Sequence, residues 1–219
     1  MSPIKTIIFD LDGTLIDSSK SILAGFAGAF AAEGLSPAVA LAPEIIGPPL
    51  KETLAILAGS RDDALVDRLA GHFKAHYDNV GYRETTVFAG IPEMLAGLAE
   101  MGVPLHIATN KRLIPTRRIL DHLGWTAYFR TVRALDAWSP AAANKAEMIA
   151  RQLREEALAP ASTLYVGDRE EDFFAARSNH LPFALAAWGY GGAPAIDQCI
   201  PLKAPAELVL LAGRTIDRD

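Results

Sequence analysis

Short apolar runs alternate with amphipathic stretches along most of the chain. Four apolar runs predict strands that are buried on both faces, at residues 4–9, 103–108, 163–166 and 183–187. Residues 131–135 are a weaker strand candidate. Helical periodicity separates the runs, at residues 91–101, 115–123, 143–156 and 170–177. This alternation predicts right-handed βαβ units, and therefore an α/β fold with a doubly wound, Rossmann-like parallel sheet.

One stretch departs from this alternation. About 75 residues between Thr14 and Gly90 contain no convincing strand, far more than one crossover needs. Helical patterns fill the stretch at residues 18–33, 43–58 and 62–77, with breaks at Gly34, Gly47-Pro48-Pro49 and Gly59. We expect residues 15–86 to form a small all-helical cap domain, inserted into a core domain of residues 1–14 and 87–219. Such a cap would cover the end of the first strand and exclude water there.

Polar side chains follow three of the predicted strands at the point where each strand ends. Asp10 and Asp12 follow the first, Thr109 and Asn110 the second, and Asp168 the third. The carboxyl ends of parallel strands share one edge, where ligands bind in open α/β sheets. Each group also has an ordinary structural explanation: a polar turn for the first, a helix cap for the second, and a favourable helix dipole for the third.

Several carboxylates at one sheet edge require a counter-charge. Two carboxylates about 4 Å apart repel by roughly 4 kcal/mol at an effective dielectric constant of 20, whereas a helix dipole offers about 0.3–1 kcal/mol. Asp10, Asp12 and Asp168 therefore predict a divalent cation, and Mg²⁺ suits carboxylates, water and a phosphate oxygen. Asp172 is expected to orient the metal shell from behind.

The same residues predict phosphoryl transfer. Asp10 is the candidate nucleophile that forms an aspartyl-phosphate, and Asp12 is the candidate general acid and base. Thr109 and Asn110 can donate hydrogen bonds to phosphate oxygens. Lys145 is the candidate cation that reaches both Asp10 and the phosphate, although an isolated lysine at the start of a helix also fits a solvated position.

The candidate site residues, taken in their order along the chain, resemble the four motifs of the haloacid dehalogenase-like hydrolase superfamily. The motifs are Asp10-Leu11-Asp12-Gly13-Thr14-Leu15, Thr109-Asn110-Lys111, Lys145, and Gly167-Asp168 through Asp172. Three weaker segments resemble its phosphoglycolate phosphatase-like branch: Phe88-Ala89-Gly90-Ile91-Pro92, Ile46-Gly47-Pro48-Pro49-Leu50 and Trp188-Gly189-Tyr190-Gly191.

The resemblance implies a Mg²⁺-dependent phosphatase. The metal is then held by Asp10, the main-chain carbonyl of Asp12 and Asp168, with Thr109 among the catalytic residues. Members with dehalogenase activity typically lack the second aspartate, so Asp12 favours phosphate chemistry. The expected substrate contacts are Gly13, Asn110 and Lys111.

Two positions depart from the family pattern. Ala146 follows Lys145, where the branch usually carries proline, and Arg169 follows Asp168, where a small hydroxyl residue is usual. We expect Arg169 to lie in solvent rather than on a substrate anion. The segment 188–192 is either a loop near the site or a simple glycine-rich turn.

Three histidines invite a metal or catalytic interpretation. His72 and His76 have the spacing of a helical metal pair, but no third ligand is evident, so we expect no metal there. His106 lies inside an apolar run and is expected to be a core residue with its polar atoms satisfied.

The composition and net charge of the chain limit the classes of partner that we expect. The chain has 219 residues, half of them hydrophobic, which allows a sizeable core. A net charge of −5 argues against nucleic acid and anionic membranes as partners. The single cysteine, Cys199, fits a reducing compartment, and the N-terminus lacks a signal-peptide pattern, so we expect a cytoplasmic protein. A small phosphorylated metabolite is the expected partner of a monomer or homodimer.

Three functions stay open at this point. The first is hydrolysis of a small phosphate monoester, phosphoglycolate-like or another metabolite. The second is a phosphotransferase or phosphomutase, which passes the phosphoryl group of the same intermediate to a sugar. The third is a non-catalytic binding protein on the same fold, which the intact set of Asp10, Asp12, Lys145 and Asp168 disfavours.

Overall fold

The computed structural model describes residues 3–191 and 198–216. Within them the strands are β1 (Thr6–Phe9), β2 (Ile16–Asp17), β3 (Thr86–Val87), β4 (Leu105–Thr109), β5 (Phe129–Ala134), β6 (Thr163–Gly167), β7 (Phe183–Ala186) and β8 (Ile200–Leu202). The α-helices are α1 (Ser19–Ala32), α2 (Leu50–Ala58), α3 (Asp63–Tyr77), α4 (Ile91–Glu100), α5 (Leu113–His122), α6 (Lys145–Glu155), α7 (Glu170–Ser178) and α8 (Ala206–Ile216). Short 3₁₀ turns lie at Pro43–Ile45, Gly81–Glu84, Thr126–Tyr128, Leu135–Ala137 and Pro160–Ser162.

Six strands form one parallel sheet, in the order β5-β4-β1-β6-β7-β8. The first strand of the chain is therefore central, with β4 on one side and β6 on the other. Phe9 pairs with Ile107 of β4 and with Val166 of β6, so these three strands end at nearly the same level. The predicted α/β fold with a doubly wound parallel sheet is confirmed.

The core lies on both faces of this sheet. Side chains of a strand alternate between faces, and Ile7 and Phe9 pack in one cluster with residues of α4, α5 and α8. Ile8 points to the opposite face and packs with residues of α6 and α7. Each such buried side chain contributes about 1.5–3 kcal/mol relative to an exposed one. The two layers of helices hold the strand ends, and the polar groups on them, in fixed positions.

Helices α1, α2 and α3 form a separate hydrophobic cluster of their own. The closest approach is between α1 and α3, where a Cβ on Gly25 would lie 2.8 Å from Cε2 of Phe73. The helical pattern at residues 43–58 is realised as the turn Pro43–Ile45 followed by α2. The interruption falls where it was expected, because Pro48 and Pro49 lack the N–H groups that a continuous helix needs.

The expectation of no strand between Thr14 and Gly90 is wrong. Strands β2 and β3 pair antiparallel there, with Ile16 opposite Val87 and Asp17 opposite Thr86. Two-residue strands are too short to show an alternating pattern in the sequence. This ribbon brings the two ends of the helical segment together beside Asp12, which itself bridges to Ile16.

The sequence pattern also did not predict β8 and α8. β8 is a three-residue edge strand that contains Pro201, and a proline argues against a strand when only the sequence is read. Cys199, just before it, is a half-buried free thiol. Across residues 3–191 and 198–216, no helix combines the length and the apolar character needed to cross a bilayer.

His106 is a buried residue of β4, as expected. Its Nδ1 atom lies 2.7 Å from the hydroxyl of Thr131, whereas Nε2 has no hydrogen-bond partner. We expected both ring nitrogens to have hydrogen-bond partners, and among the described residues only Nδ1 has one. Burial, helped by the nearby Arg130 and Arg133, lowers the pKa of His106 to about 4, so the ring is neutral near pH 7.

Candidate active site

Three buried carboxylates meet at the carboxyl edge of the sheet. Asp10 follows β1, Asp168 follows β6, and Asp172 lies in the first turn of α7. One oxygen of each lies within 4.8 Å of the others, and all three side chains are buried. The structure thus brings Asp10, Asp168 and Asp172 together, as the sequence led us to expect. The carboxylate of Asp12, which was expected to join Asp10 and Asp168, is not part of this group.

Lys145 lies among these acids. Its Nζ atom is 2.6 Å from Oδ1 of Asp172 and 3.3 Å from Oδ1 of Asp10. The lysine is the first residue of α6, and Asn144 caps that helix by accepting a hydrogen bond of 2.9 Å from the N–H of Glu147. Burial alone would lower the pKa of Lys145, but the charges of Asp10 and Asp172 raise it well above its usual value. The side chain is therefore a buried ammonium, not a solvated helix lysine.

One ammonium does not neutralise three carboxylates. Burial raises the pKa of Asp10 to about 8; Lys145 opposes this rise, and Asp172 and Asp168 add to it. Burial and the charge of Asp172 raise the pKa of Asp168 to about 6. Although Lys145 is near, Oδ1 of Asp10 accepts no hydrogen bond. Burial and mutual repulsion therefore oppose ionisation of these crowded carboxyl groups, and one of their oxygens is free. A hard divalent cation fits such a group, because it would favour the ionised forms.

The segment after β7 holds Asp168 from the other side. The N–H groups of Tyr190 and Gly191 donate to Oδ2 of Asp168, at 2.8 and 3.2 Å. A Cβ on Gly189 would lie 2.3 Å from the Cβ of Asp168 and 2.3 Å from the carbonyl oxygen of Gly13, so no other residue fits there. Residues 188–191 are thus a loop on the site, the first of the two alternatives, while Gly192 lies outside the described residues.

Asp12 occupies a different environment from the other acids. The hydroxyl of Ser18 donates to its Oδ1, and Nζ of Lys111 lies 3.1 Å from both of its carboxylate oxygens. Lys111 also donates to the hydroxyl of Tyr77 at 2.8 Å. Burial would lower the pKa of Lys111, but the charge of Asp12 raises it. Lys111 therefore holds the carboxylate of Asp12, and its expected contact with the substrate stays a prediction.

Ser18, Tyr77 and Tyr190 belong to this site, although no sequence pattern assigned them a role in it. The N–H of Ser18 donates to the hydroxyl of Tyr190 at 2.8 Å, which ties the start of α1 to the loop that holds Asp168. A serine before a helix resembles an ordinary cap, and Tyr77 resembles a core aromatic. In the case of Tyr190, the glycines on either side of it were the one sequence feature that pointed to a loop near the site.

Thr109 and Asn110 lie at the end of β4, as expected. The hydroxyl of Thr109 accepts the N–H of Lys111 at 3.2 Å, a local turn contact. The side-chain amide of Asn110 donates to the carbonyl of Gly47 at 3.0 Å and to Glu171 at 2.9 Å. Both side chains are buried, and their contact with a phosphate group stays a prediction.

Gly13 has a conformational reason for being glycine. Its φ of 85° lies in the left-handed region, and a Cβ there would lie 2.4 Å from Oδ2 of Asp168. The backbone of Gly13 can therefore approach the acidic cluster as no other residue could. Its expected contact with the substrate stays a prediction.

The expectation that Arg169 lies in solvent is wrong. Its guanidinium donates to the carbonyl oxygens of Ile46 and Glu44, the latter at 2.7 Å. The rigid fork of arginine donors suits two neighbouring carbonyls. Together with the Asn110–Gly47 bond, this contact fastens the loop before α2 to the sheet edge.

A cavity lies between the sheet edge and the three helices α1, α2 and α3. Its polar floor is formed by Asp10, Asp12, Thr109, Asn110 and Lys111. Its opposite wall is formed by Ile22, Phe26, Leu50 and Phe73. The candidate nucleophile and the candidate acid therefore both line the same cavity.

His72 and His76 do not join this site. Nε2 of His72 lies 3.0 Å from Oε1 of Glu33 on the outer face of α3. Among the described residues, the carboxylate group that could hold a metal contains Asp10, Asp168 and Asp172 and neither histidine.

Comparison with known proteins agrees with the geometry. The family model described as haloacid dehalogenase-like hydrolase matches residues 7–186. The chain is 34% identical over 195 residues to the tyrosine-protein kinase PtkA of Mycobacterium tuberculosis, a match that covers 88% of this chain and 65% of the relative. The solved structure of PtkA superimposes with a TM-score of 0.80 at 32% identity, over 97% of this chain and 99% of that one.

Two further relatives carry names of phosphate-ester hydrolases. The chain is 31% identical over 206 residues to a 5′-nucleotidase of Pseudomonas aeruginosa, which covers 94% of this chain and 92% of the relative. It is 31% identical over 187 residues to a phosphoglycolate phosphatase of Xylella fastidiosa, which covers 85% of this chain and 81% of the relative.

The chain belongs to the haloacid dehalogenase-like hydrolase family, in its phosphoglycolate phosphatase-like branch. It spans about two thirds of the length of its PtkA relatives, 65%.

Proposed function

We propose that this protein is a Mg²⁺-dependent phosphatase that hydrolyses a small phosphate monoester through an aspartyl-phosphate on Asp10. The observation that carries the proposal is the buried group of Asp10, Lys145, Asp168 and Asp172, which opens through Asp10 on the cavity. A carboxylate that lies next to an ammonium and lines a cavity is positioned to act as a nucleophile.

The metal would be held by the carboxylates of Asp10 and Asp168 and by the main-chain carbonyl of Asp12. Asp172 contacts Lys145 directly, so its role is to fix the lysine and the cluster from behind. When bound, Mg²⁺ neutralises negative charge that develops on the phosphate oxygens.

In the first step, a carboxylate oxygen of Asp10 attacks phosphorus, and the bond from phosphorus to the alcohol oxygen breaks. Asp12 gives a proton to that leaving oxygen. Ser18 and Lys111 hold the carboxyl group of Asp12 in a fixed orientation. Lys145 opposes protonation of Asp10, because its charge lowers the pKa of that residue.

In the second step, water attacks phosphorus and the bond to the oxygen of Asp10 breaks. Asp12 takes a proton from the attacking water, and inorganic phosphate leaves. Thr109 and Asn110 would donate hydrogen bonds to the phosphate oxygens, with Gly13 and Lys111 beside them. The carboxylate of Asp10 is restored, so the cycle is complete without any other reactant.

Residues 15–86 would form a cap domain over this site, and residues 1–14 with 87–219 the core domain. The separate hydrophobic cluster of α1, α2 and α3 supports this division, as does the ribbon of β2 and β3 at its root. The cap would exclude bulk water, so that the second step uses a positioned water molecule.

A phosphotransferase is the second candidate. The relative named tyrosine-protein kinase matches 88% of this chain, which favours transfer to an acceptor other than water. Such an enzyme would use the same aspartyl-phosphate and differ in the second step. Product analysis separates the two candidates, because hydrolysis releases one inorganic phosphate for every alcohol.

The test is release of inorganic phosphate and p-nitrophenol from p-nitrophenyl phosphate, with Mg²⁺ and with a chelator. We expect both products in equal amounts and only with Mg²⁺. Added sugar phosphate or a tyrosine peptide should leave this ratio at one; a fall in released phosphate at constant p-nitrophenol would support the transferase. No turnover with Mg²⁺ would contradict both enzymatic candidates.

A further inference from the structure

The wall of the cavity opposite Asp10 is aromatic and aliphatic. Phe26 of α1 and Phe73 of α3 line it, with Ile22 and Leu50 beside them. The rings of Phe26 and Phe73 have centroids 5.0 Å apart, and Phe73 stacks on Tyr77 at 5.1 Å. Tyr77 in turn contacts Lys111, the partner of Asp12. A continuous aromatic row therefore leads from the wall to the candidate acid.

The backbone of α1 fixes the position of this row. Gly25 lies so close to Phe73 that an added Cβ would be 2.8 Å from its ring. Phe26 and Phe73 are both at most 5% exposed. The two rings are thus packed in fixed positions. Thr53 of α2 also lines the cavity, and its hydroxyl already donates a hydrogen bond of 3.3 Å to the carbonyl of Pro48.

The positive charges at the cavity are already paired. Lys111 contacts both carboxylate oxygens of Asp12, and Arg112 contacts both carboxylate oxygens of Asp78 at the end of α3. Among the described residues that line the cavity, these two are the basic ones. A carboxylate on the leaving group of the substrate would lose its water against the apolar wall without gaining a free cation.

We propose that the leaving alcohol of the substrate is apolar and that it lies against Phe26 and Phe73. This inference rests on the proposed phosphatase function and concerns the same site. An apolar group gains from leaving water at this wall. Phosphoglycolate, whose leaving group carries a carboxylate, is then a poor substrate of this chain despite its place in the family.

The direct test compares kcat/KM for benzyl phosphate and 2-phosphoglycolate with saturating Mg²⁺. Both are esters of primary alcohols, so the comparison reports mainly on the group that meets the wall. We expect benzyl phosphate to be favoured by about tenfold or more. An equal or higher kcat/KM for phosphoglycolate would overturn the inference.

A charge placed on the wall provides the second test. Leu50 is half-buried at the start of α2, so L50K puts an ammonium at the cavity. We expect the ratio of benzyl phosphate to phosphoglycolate activity to fall by about tenfold. The matched control is I56K, which adds the same charge to the same helix at a position 47% exposed and outside the cavity lining, and it should leave the ratio unchanged.

The outcomes separate the inference from the proposed function. If the activity ratio of benzyl phosphate to phosphoglycolate fell equally in L50K and I56K, the cause would be the added net charge. That result would overturn the inference that the leaving alcohol lies against the wall. Circular dichroism and thermal melting verify that the variants fold. If L50K does not fold, the kcat/KM comparison of benzyl phosphate and phosphoglycolate in the unsubstituted protein decides whether the inference holds. Mg²⁺-dependent hydrolysis that prefers phosphoglycolate overturns the inference alone. No Mg²⁺-dependent hydrolysis of benzyl phosphate, phosphoglycolate or p-nitrophenyl phosphate overturns the proposed function and the inference together.

Discussion

The ammonium of Lys145 lies 3.3 Å from the carboxylate of Asp10, and both side chains are buried. The two residues come from different elements, the start of α6 and the end of β1, and meet because β1 is central in the sheet. Such a contact keeps a buried carboxylate partly ionised in a place where burial alone would protonate it.

Replacement of Asp10 by asparagine should abolish turnover and leave the chain folded. The amide has nearly the same shape, but it is not a nucleophile, and it removes one of three crowded negative charges. We expect phosphate release to fall to background, with a melting temperature at least equal to that of the unsubstituted protein in the absence of metal. Mg²⁺-dependent activity retained in D10N would refute the nucleophile assignment.

Replacement of Lys145 by methionine should destabilise the fold strongly. It leaves buried carboxylates without their cation, which typically costs about 3–5 kcal/mol. Denaturant titration of K145M measures the loss, and K145M/D172N should recover part of it because one of the unpaired charges is then removed. The matched control is K51M, which removes an exposed lysine paired with Asp67 and should change stability by less than about 0.5 kcal/mol. A K145M loss as small as that of K51M would contradict a buried ion pair.

Replacement of Asp12 by asparagine should lower kcat roughly 10²- to 10⁴-fold for alkyl phosphates. The loss should be smaller in the first step with p-nitrophenyl phosphate, because p-nitrophenolate leaves without a proton. Stopped-flow detection of p-nitrophenol measures the first step, and steady-state release of phosphate measures the complete cycle. Comparing the two rates separates the two steps. The same loss in both steps for both kinds of ester would argue against a proton donor at this position.

The stabilisation by Mg²⁺ should increase with pH. Burial raises the pKa of Asp10 to about 8 and that of Asp168 to about 6, whereas both have the ordinary value of about 3.9 in the unfolded chain. Between about pH 4 and pH 8 the folded, metal-free protein binds more protons than the unfolded chain, so its free energy of unfolding falls as pH rises. Mg²⁺ competes with these protons and offsets the fall.

Thermal melting with a chelator and with Mg²⁺ checks this linkage. The rise in melting temperature that Mg²⁺ produces should be larger at about pH 8 than at about pH 5.5. D10N, which cannot ionise at this position, serves as the control and should show a weaker dependence on pH. If the rise in melting temperature produced by Mg²⁺ were constant, or became smaller toward pH 8, the result would contradict the raised pKa values of Asp10 and Asp168.

Much of the fold was predictable because its signals are local. Each buried parallel strand is a short apolar run, and the order of the polar residues after the strands matches one family. Asp10, Asp168 and Lys145 could be named from that order. Their meeting follows from the parallel sheet, which places the carboxyl ends of neighbouring strands at one edge.

What the sequence did not reveal depends on contacts between distant residues. Arg169 bonds to carbonyl oxygens more than 120 positions away, and Ser18 meets Tyr190 across 172 positions. Such partners leave no periodic pattern in a single sequence. The ribbon of β2 and β3 is also a distant pairing, and each strand has only two residues.

Trapping the covalent intermediate tests the central claim most directly. D12N is mixed with p-nitrophenyl phosphate and Mg²⁺, because this ester still forms the intermediate while its hydrolysis is slowed. Quenching with borohydride reduces an acyl phosphate to the alcohol, and peptide mass spectrometry then locates the change. The account predicts homoserine at position 10, and unmodified Asp10 in D12N quenched without substrate. A label on another residue, or none at position 10 during turnover, would contradict it.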